Sequence, residues 1–386
     1  MANEYNAENI QVLEGLEAVR KRPGMYIGTT GNKGLHHILW EIIDNGIDEI
    51  SNAHGDLVTV TLLSDNMARV SDNGRGIPVD KHPKLGISGV EVVFTKLHAG
   101  AKFDNEQYAF SGGLHGVGAS VTNALSEWLM VDVFRDGNHY MQEFHSPETD
   151  GKIKSGIPLY PLKLIEKTAL SGTTVTFKPD ERVFGKERFS YEVISSRLRE
   201  SAFLIRGLHI VLEDKRLPLE GGTGRCDDFC FPGGVSDFVR YLNDNRTVLY
   251  PDPVYFEAEA ANFRLFCSLQ HTDGYTENIL SFVNGIPTTE GGTHEVGFKS
   301  ACTKVFNDYA RKNGILKDKA PNLTGEDYRE GMTAVIAVRM QNVQFEGQTK
   351  TRLGNQDVRP LVDSLTGEKL EEIVNMKSMK KAVEAI

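Results

Sequence analysis

The chain has 386 residues, 40% of them apolar and 25% charged, with 53 acidic against 43 basic side chains and a formal charge of −10. This is ordinary soluble composition with room for about two domains, and its acidic balance excludes a surface that grips nucleic acid everywhere while leaving a local basic groove open. Four cysteines exclude a disulfide framework and point to a reducing compartment; no apolar run reaches a membrane span and no signal-peptide core is visible, so a cytoplasmic location is expected.

Residues 1–14 read as a polar arm with apolar anchors at Tyr5, Ile10, Val12 and Leu13, ordered only if it docks. A short helix is expected over Gly15–Lys21, stopped by Arg22-Pro23-Gly24. From Lys33 to Ala53 the spacing predicts a longer helix, with Leu35, Ile38, Leu39, Ile42, Ile43 and Ile50 on one face. His37, Glu41, Asp44, Asn45 and Asp48 collect on the other, with no Lys or Arg after Lys33. A carboxylate and an amide at i and i+4 could hold a hard cation and activate a water. A solvated acidic face is the other reading, and the helix alone leaves both open.

Val58, Val60 and Leu62 alternate with threonines as a strand, and Met67–Ser71 returns after Ser64-Asp65-Asn66. The strand runs into Asp72-Asn73-Gly74-Arg75-Gly76-Ile77-Pro78, either a rigid loop where a ligand meets backbone or a plain hairpin exit. A helix is expected over Ile87–Leu97. Residues 98–113, with Lys102 and Tyr108, read as a loop that is either a functional lid or disordered. It leads through Ser111-Gly112-Gly113-Leu114-His115-Gly116-Val117-Gly118 into a small-residue helix over Ala119–Leu125. Such a loop offers free N–H groups and a helix dipole to phosphates, although it lacks the P-loop lysine pattern and a structural turn stays open. A hairpin is expected over Leu129–Phe134 and Tyr140–Phe144, then a strand over Gly172–Phe177, a helix over Tyr191–Ile205 and a strand over Leu208–Glu213. The glycine-rich Leu217–Gly224 marks a domain boundary.

Beyond it come a helix (Val235–Leu242), strands (Tyr255–Ala260, Phe263–Gln270, Leu280–Val283), a long helix (Thr293–Asn313) and a strand (Met332–Met340). A polar loop follows over Phe345–Asn355 with one prominent lysine, Lys350, and a last helix starts at Gly367. The order suggests an α/β domain. Cys226 and Cys230 lack the second close pair of a zinc site.

The helix with Glu41, Asp44 and Asn45, the Asp72 loop with Gly74 and Gly76, the Gly112–Gly118 loop and Gly172-Thr173 occur in the order of the GHKL ATPase family. More closely, Val12–Gly28, Ser111–Ser126, Glu290–Gly297 and Gln344–Leu353 resemble the ATPase subunits of bacterial type II topoisomerases, over nearly the whole chain. Gyrase and topoisomerase IV both stay open. The resemblance implies an α/β (α+β) fold: a GHKL (Bergerat) ATP-binding sandwich over residues 1–221, including the dimerisation arm 1–14. A transducer domain of ribosomal S5-like fold would follow over residues 222–386. The Toprim motifs Glu-Gly-Asp-Ser-Ala and Asp-x-Asp do not occur, so an ATPase and transducer fragment is expected, unable to cleave DNA by itself.

The resemblance also implies roles. Glu41 would be the general base for water, oriented by His37. Asn45 would hold Mg2+. Asp72 would accept from the adenine amino group with support from Thr173, and Asp48, Gly76, Ile77 and Pro78 count among the ATP-binding positions. Lys102 and Tyr108 would sit on the lid, and Gly112, Gly113, Leu114, His115, Gly116, Val117 and Gly118 would cradle the phosphates. Gln348 and Lys350 would reach the γ-phosphate from the second domain, and Tyr5 and Ile10 the site of a partner copy. Asp72, Arg75, Arg135 and Thr173 would form an aminocoumarin site, making the protein an antibiotic target. The implied partners are a second copy on ATP binding (a homodimer), double-stranded DNA and, on the gyrase reading, the DNA gyrase A protein. ATP binding would close a dimer gate around DNA, and hydrolysis would drive strand passage or supercoiling in the full enzyme. An ATP-gated dimerisation module with negligible turnover is the alternative. Three positions depart from the family: Asn73 replaces an acid, Gly46 a small side chain and Ala101 a glycine.

Overall fold

Alternation of branched apolar residues with threonines gives β1 (Leu57–Leu63) one buried face, and Val58, Val60 and Leu62 are fully buried. The computed structural model describes residues 15–99, 116–317, 319–347, 350–384 and 386. Tyr5, Ile10, Ala101, Lys102, Tyr108, Gly112, Gly113, Leu114, His115 and Gln348 lie outside the described residues. The chain divides into two units, one of residues 1–199 and 208–229, the other of residues 200–207 and 230–386.

In the first unit, α1 (Gly15–Lys21), α2 (Gly24–Ile27) and α3 (Asn32–Ser51) precede β1 and β2 (Met67–Asp72). Next come α4 (Gly89–Thr95), α5 (Gly118–Ala124), β3 (Ser126–Arg135) and β4 (Asn138–His145). A small hairpin, β5 (Glu148–Thr149) and β6 (Lys152–Ile153), leads to β7 (Ile157–Pro158), β8 (Lys163–Lys167) and β9 (Gly172–Pro179). The unit ends with α6 (Glu181–Phe184), α7 (Tyr191–Leu204, its last residues in the second unit), β10 (His209–Asp214) and β11 (Cys226–Cys230). The strands order as β11-β10-β1-β2-β9-β3-β4-β7, with β8 also on β4. β1 runs parallel to β10 and the inner pairings are antiparallel. The apolar stripe of α3 is buried, and α3 packs against β1, β2 and α5. Residues 222–229, placed beyond the boundary by sequence, lie in the first unit because β11 extends its sheet beside β10.

The second unit contains α8 (Val235–Leu242), β12 (Val254–Ala260), β13 (Phe263–His271), β14 (Asn278–Val283), β15 (Ile286–Pro287) and α9 (Thr293–Lys312). α10 (Gly325–Arg329), β16 (Met332–Met340), α11 (Val358–Val374) and α12 (Lys380–Val383) complete it. Its sheet orders as β12-β13-β16-β14-β15. β16 is buried along nearly its whole length, the mark of a strand covered on both faces. α11 starts at Val358, well before Gly367. Pro360 sits in its first turn, where a missing N–H costs nothing, and Gly367 lies in its middle with open space around it. Among the described residues no helix is long and apolar enough to cross a membrane.

Candidate functional site

Residues four apart on a helix stack on one side, and α3 uses this to line up His37, Glu41, Asn45 and Glu49. His37 Nε2 lies 3.3 Å from Glu41 Oε1, with side chains 41% and 29% exposed. The start of α5 comes against the same carboxylate: a Cβ at Gly118 would lie 2.0 Å from Glu41 Oε2, so any side chain there would displace Glu41. Thr122 Oγ1 donates to Ile38 O at 2.9 Å and fixes α5 on α3. At the other end of α5, Arg20 donates to Ala124 O at 3.1 Å and to the buried Asp180 carboxylate, which Arg182 also grips. Those contacts hold the Asp180 carboxyl below its ordinary value against the opposing effect of burial.

The other end of the site is built from strand ends. Asp72, the last residue of β2, accepts from Gly74 N at 2.9 Å and Thr173 N at 3.4 Å. Burial pushes its carboxyl up to about 6, those two bonds pull it down, and the Glu49 charge adds to the rise. Thr173, 8% exposed, accepts from Ile77 N through Oγ1 at 3.3 Å. Arg135 Nη1 donates to Gly76 O at 2.7 Å, so the loop after Asp72 is held by β3 and β9. Gly46 brings α3 against this corner; a Cβ there would lie 3.3 Å from Asp72 Cβ. Gly46 is five residues beyond Glu41, about 7.5 Å along the helix axis. One helix therefore meets Glu41's surroundings at one level and Asp72 at the next.

Thus Glu41, His37 and Gly118 gather at one place, and Asp72, Thr173, Gly76, Ile77 and Arg135 at another. Asn45 is half-buried between them on α3, while Gly116 and Val117 lead into α5 and Pro78 follows the Asp72 loop. Asp48 is not on a solvated face: it is 4% exposed, because that half of α3 lies over the sheet. Asp44 faces away, 3.3 Å from Arg197 of α7, whose guanidinium also covers the Trp40 ring. Asn73 supports β1, accepting from Asp56 N and Leu57 N at 2.9 Å. Sequence reasoning passes over Glu49. It binds Arg75 Nε at 3.0 Å and Nη2 at 2.9 Å, fixing a residue of the implied inhibitor site. Its signal is present in the sequence, since it continues the i, i+4 series from Glu41 and Asn45. In the second unit, Lys350 lies on the loop after β16 with φ 56°, and its N–H donates to Gly347 O at 3.4 Å.

Comparison with known proteins matches two separate stretches of the chain. Residues 30–183 match the family described as histidine kinase-, DNA gyrase B- and HSP90-like ATPase. Residues 234–386 match the family described as DNA gyrase B. The DNA topoisomerase 4 B protein of Streptococcus pneumoniae is 51% identical over 372 residues, 95% of this chain and 55% of that protein. The DNA gyrase B protein of Halalkalibacterium halodurans is 50% identical over 362 residues, 94% and 55% respectively. The chain thus spans about half the length of the curated relatives it matches, and their similarity does not separate gyrase from topoisomerase IV. Among solved structures, the 43K ATPase domain of Thermus thermophilus gyrase B in complex with an aminocoumarin superposes with a TM-score of 0.82. It is 39% identical, covering 96% of this chain and 92% of that one. The topoisomerase IV ATP-binding domain of Francisella tularensis, in complex with a small-molecule inhibitor, gives 0.77 at 30% identity, covering 97% and 96%.

Proposed function

Since the chain belongs to the B-type ATPase proteins of type IIA topoisomerases, with a GHKL ATPase domain followed by a transducer domain, we propose that it is the ATP-hydrolysing clamp module of such an enzyme. The observation that carries this reading is the placement of Glu41 and Asp72 against two levels of one helix. Asp72 takes the adenine amino hydrogen bond, with Thr173 beside it. A guanine carbonyl facing the same buried carboxylate would be left unpaired, which favours adenine. Glu41 takes the proton of the attacking water while His37 holds its carboxylate; a positioned base contributes about 10²–10⁴ in rate.

Asn45 suits Mg2+ as an oxygen donor one turn from Glu41. When bound, Mg2+ offsets the phosphate charge. Lys350, with Gln348, contacts the γ-phosphate and distinguishes ATP from ADP. Tyr5 and Ile10 reach the partner copy, and the ATP-closed dimer encloses double-stranded DNA. Together with the A-type protein that cuts and rejoins DNA, the full enzyme passes one duplex through another.

Phosphate release with Mg2+, beside sedimentation with a non-hydrolysable ATP analogue, tests this. Turnover and analogue-driven dimerisation are expected together. Dimerisation without turnover makes the chain a gating module, and the absence of both overturns the clamp reading.

A further inference from the structure

The loop that carries Lys350 is not held by its own turn alone. It closes on itself, with Phe345 bridged to Leu353 and Glu346 N donating to Arg352 O at 2.9 Å. Its returning limb is also laid along a second segment, Glu290–Thr293. Glu290 N donates to Thr351 O at 2.9 Å, Leu353 N to Gly291 O at 3.2 Å, and Thr293 N to Leu353 O at 3.2 Å. The approach depends on Gly292. Its φ of 142° and ψ of −167° lie where L side chains are strained, and a Cβ there would be 2.6 Å from Leu353 N and from Leu353 O. Arg352 pins the rim from outside: Nη1 donates to Glu290 O at 3.2 Å and Nε pairs with Glu346 at 3.2 Å. Leu353 itself is fully buried in the core of the unit.

We propose that Gly292 and Arg352 form a seat that fixes the height of the Lys350 loop, which makes them positioning residues for the lysine's contact with the terminal phosphate. This rests on the reading of Lys350 given above. Lys350 precedes Leu353 by three residues, a reach of about 10 Å at full extension, so a shift of the limb passes to the lysine. The seat also places the loop between two helices. α9 begins at Thr293, directly after Gly292, and α11 begins at Val358, shortly after the limb, and the two helices pack on each other. A movement of Lys350 that drags Leu353 therefore pulls on the start of α9.

The test compares ADP and a non-hydrolysable ATP analogue, by calorimetric Kd, on the 386-residue chain and on Lys350→Ala, Gly292→Ala, Arg352→Ala and Arg352→Lys, beside steady-state hydrolysis. ADP lacks the terminal phosphate and reports the rest of the site. Gly292→Ala is expected to keep its ADP Kd, lose the preference for the analogue as Lys350→Ala does, and hydrolyse about 10–100-fold more slowly. Arg352→Ala shows a smaller loss of the same kind, and Arg352→Lys regains part of it. If Gly292→Ala does not fold, Arg352→Ala decides, since that side chain is 44% exposed and outside the core. The seat is overturned if Lys350→Ala loses the preference while Gly292→Ala and Arg352→Ala both keep it. An unchanged Lys350→Ala removes the lysine reading, and the seat with it.

Discussion

The two ends of the proposed nucleotide site are built on opposite plans. Asp72 is buried at a strand end, clasped by backbone amides, with its loop tied to β3 and β9. Glu41 and His37 are partly exposed, on one helix, 3.3 Å apart, with the start of α5 close against the Glu41 carboxylate. The difference teaches that the proposed adenine end is fixed by the sheet's own hydrogen bonds, whereas the proposed hydrolytic end keeps partly exposed side chains.

That contrast breaks most directly at Glu41. Glu41→Ala should lower hydrolysis by about 10²–10⁴ and leave ADP affinity unchanged; a fall in ADP affinity of similar size would show that the ends are one site energetically. Asp72→Asn should do the reverse, weakening ATP about 10–100-fold, the value of a hydrogen bond to a charged acceptor, with turnover at saturation retained.

The next effect is a pH step. Asp72 is ionised above about 6 and protonated below it, so nucleotide affinity should fall by up to about tenfold per unit as pH drops below that value. Calorimetry with ADP on the parent and on Asp72→Asn isolates the step, because the phosphate's own titration is common to both. The sign for folding is opposite. A carboxyl raised above its unfolded value contributes stability that is fully present below that value and is lost as pH rises through about 6. Acid therefore weakens binding through Asp72 without weakening the fold through it. The smallest change is Thr173→Val, expected to cost about 1 kcal/mol, roughly fivefold in ATP Kd, because the Ile77 N–H loses its acceptor. A much larger loss would mean that the threonine touches the base itself.

Periodicity marks the limit of what the sequence makes legible. The burial of α3 and of β1 can be read from spacing alone, since each element needs one apolar face. Partners far apart in sequence cannot: Arg197 takes Asp44 from 153 residues away, and nothing local announces it. β8 has all five residues exposed and so carries no alternation to read. The expected start of α11 falls too late because Pro360 and Gly367 look like breakers, although one sits in the first turn and the other in a roomy interior position. Helical angle groups Asp48 with the solvated face, yet the sheet beneath α3 covers it. The site motifs are legible by resemblance to the GHKL family, and Glu49 lies one turn beyond the polar residues that the motif includes.

The carboxylate of Asp180 has a mechanical meaning. It is gripped by Arg20 of α1, and the same arginine holds the last carbonyl of α5. Helix α1 follows residues 1–14 in the chain, and α5 starts at Gly118 against Glu41. Arg20 thus clamps α1 to the last turn of α5, the helix whose first residue lies against Glu41, so a shift of either helix loads the same buried ion pair.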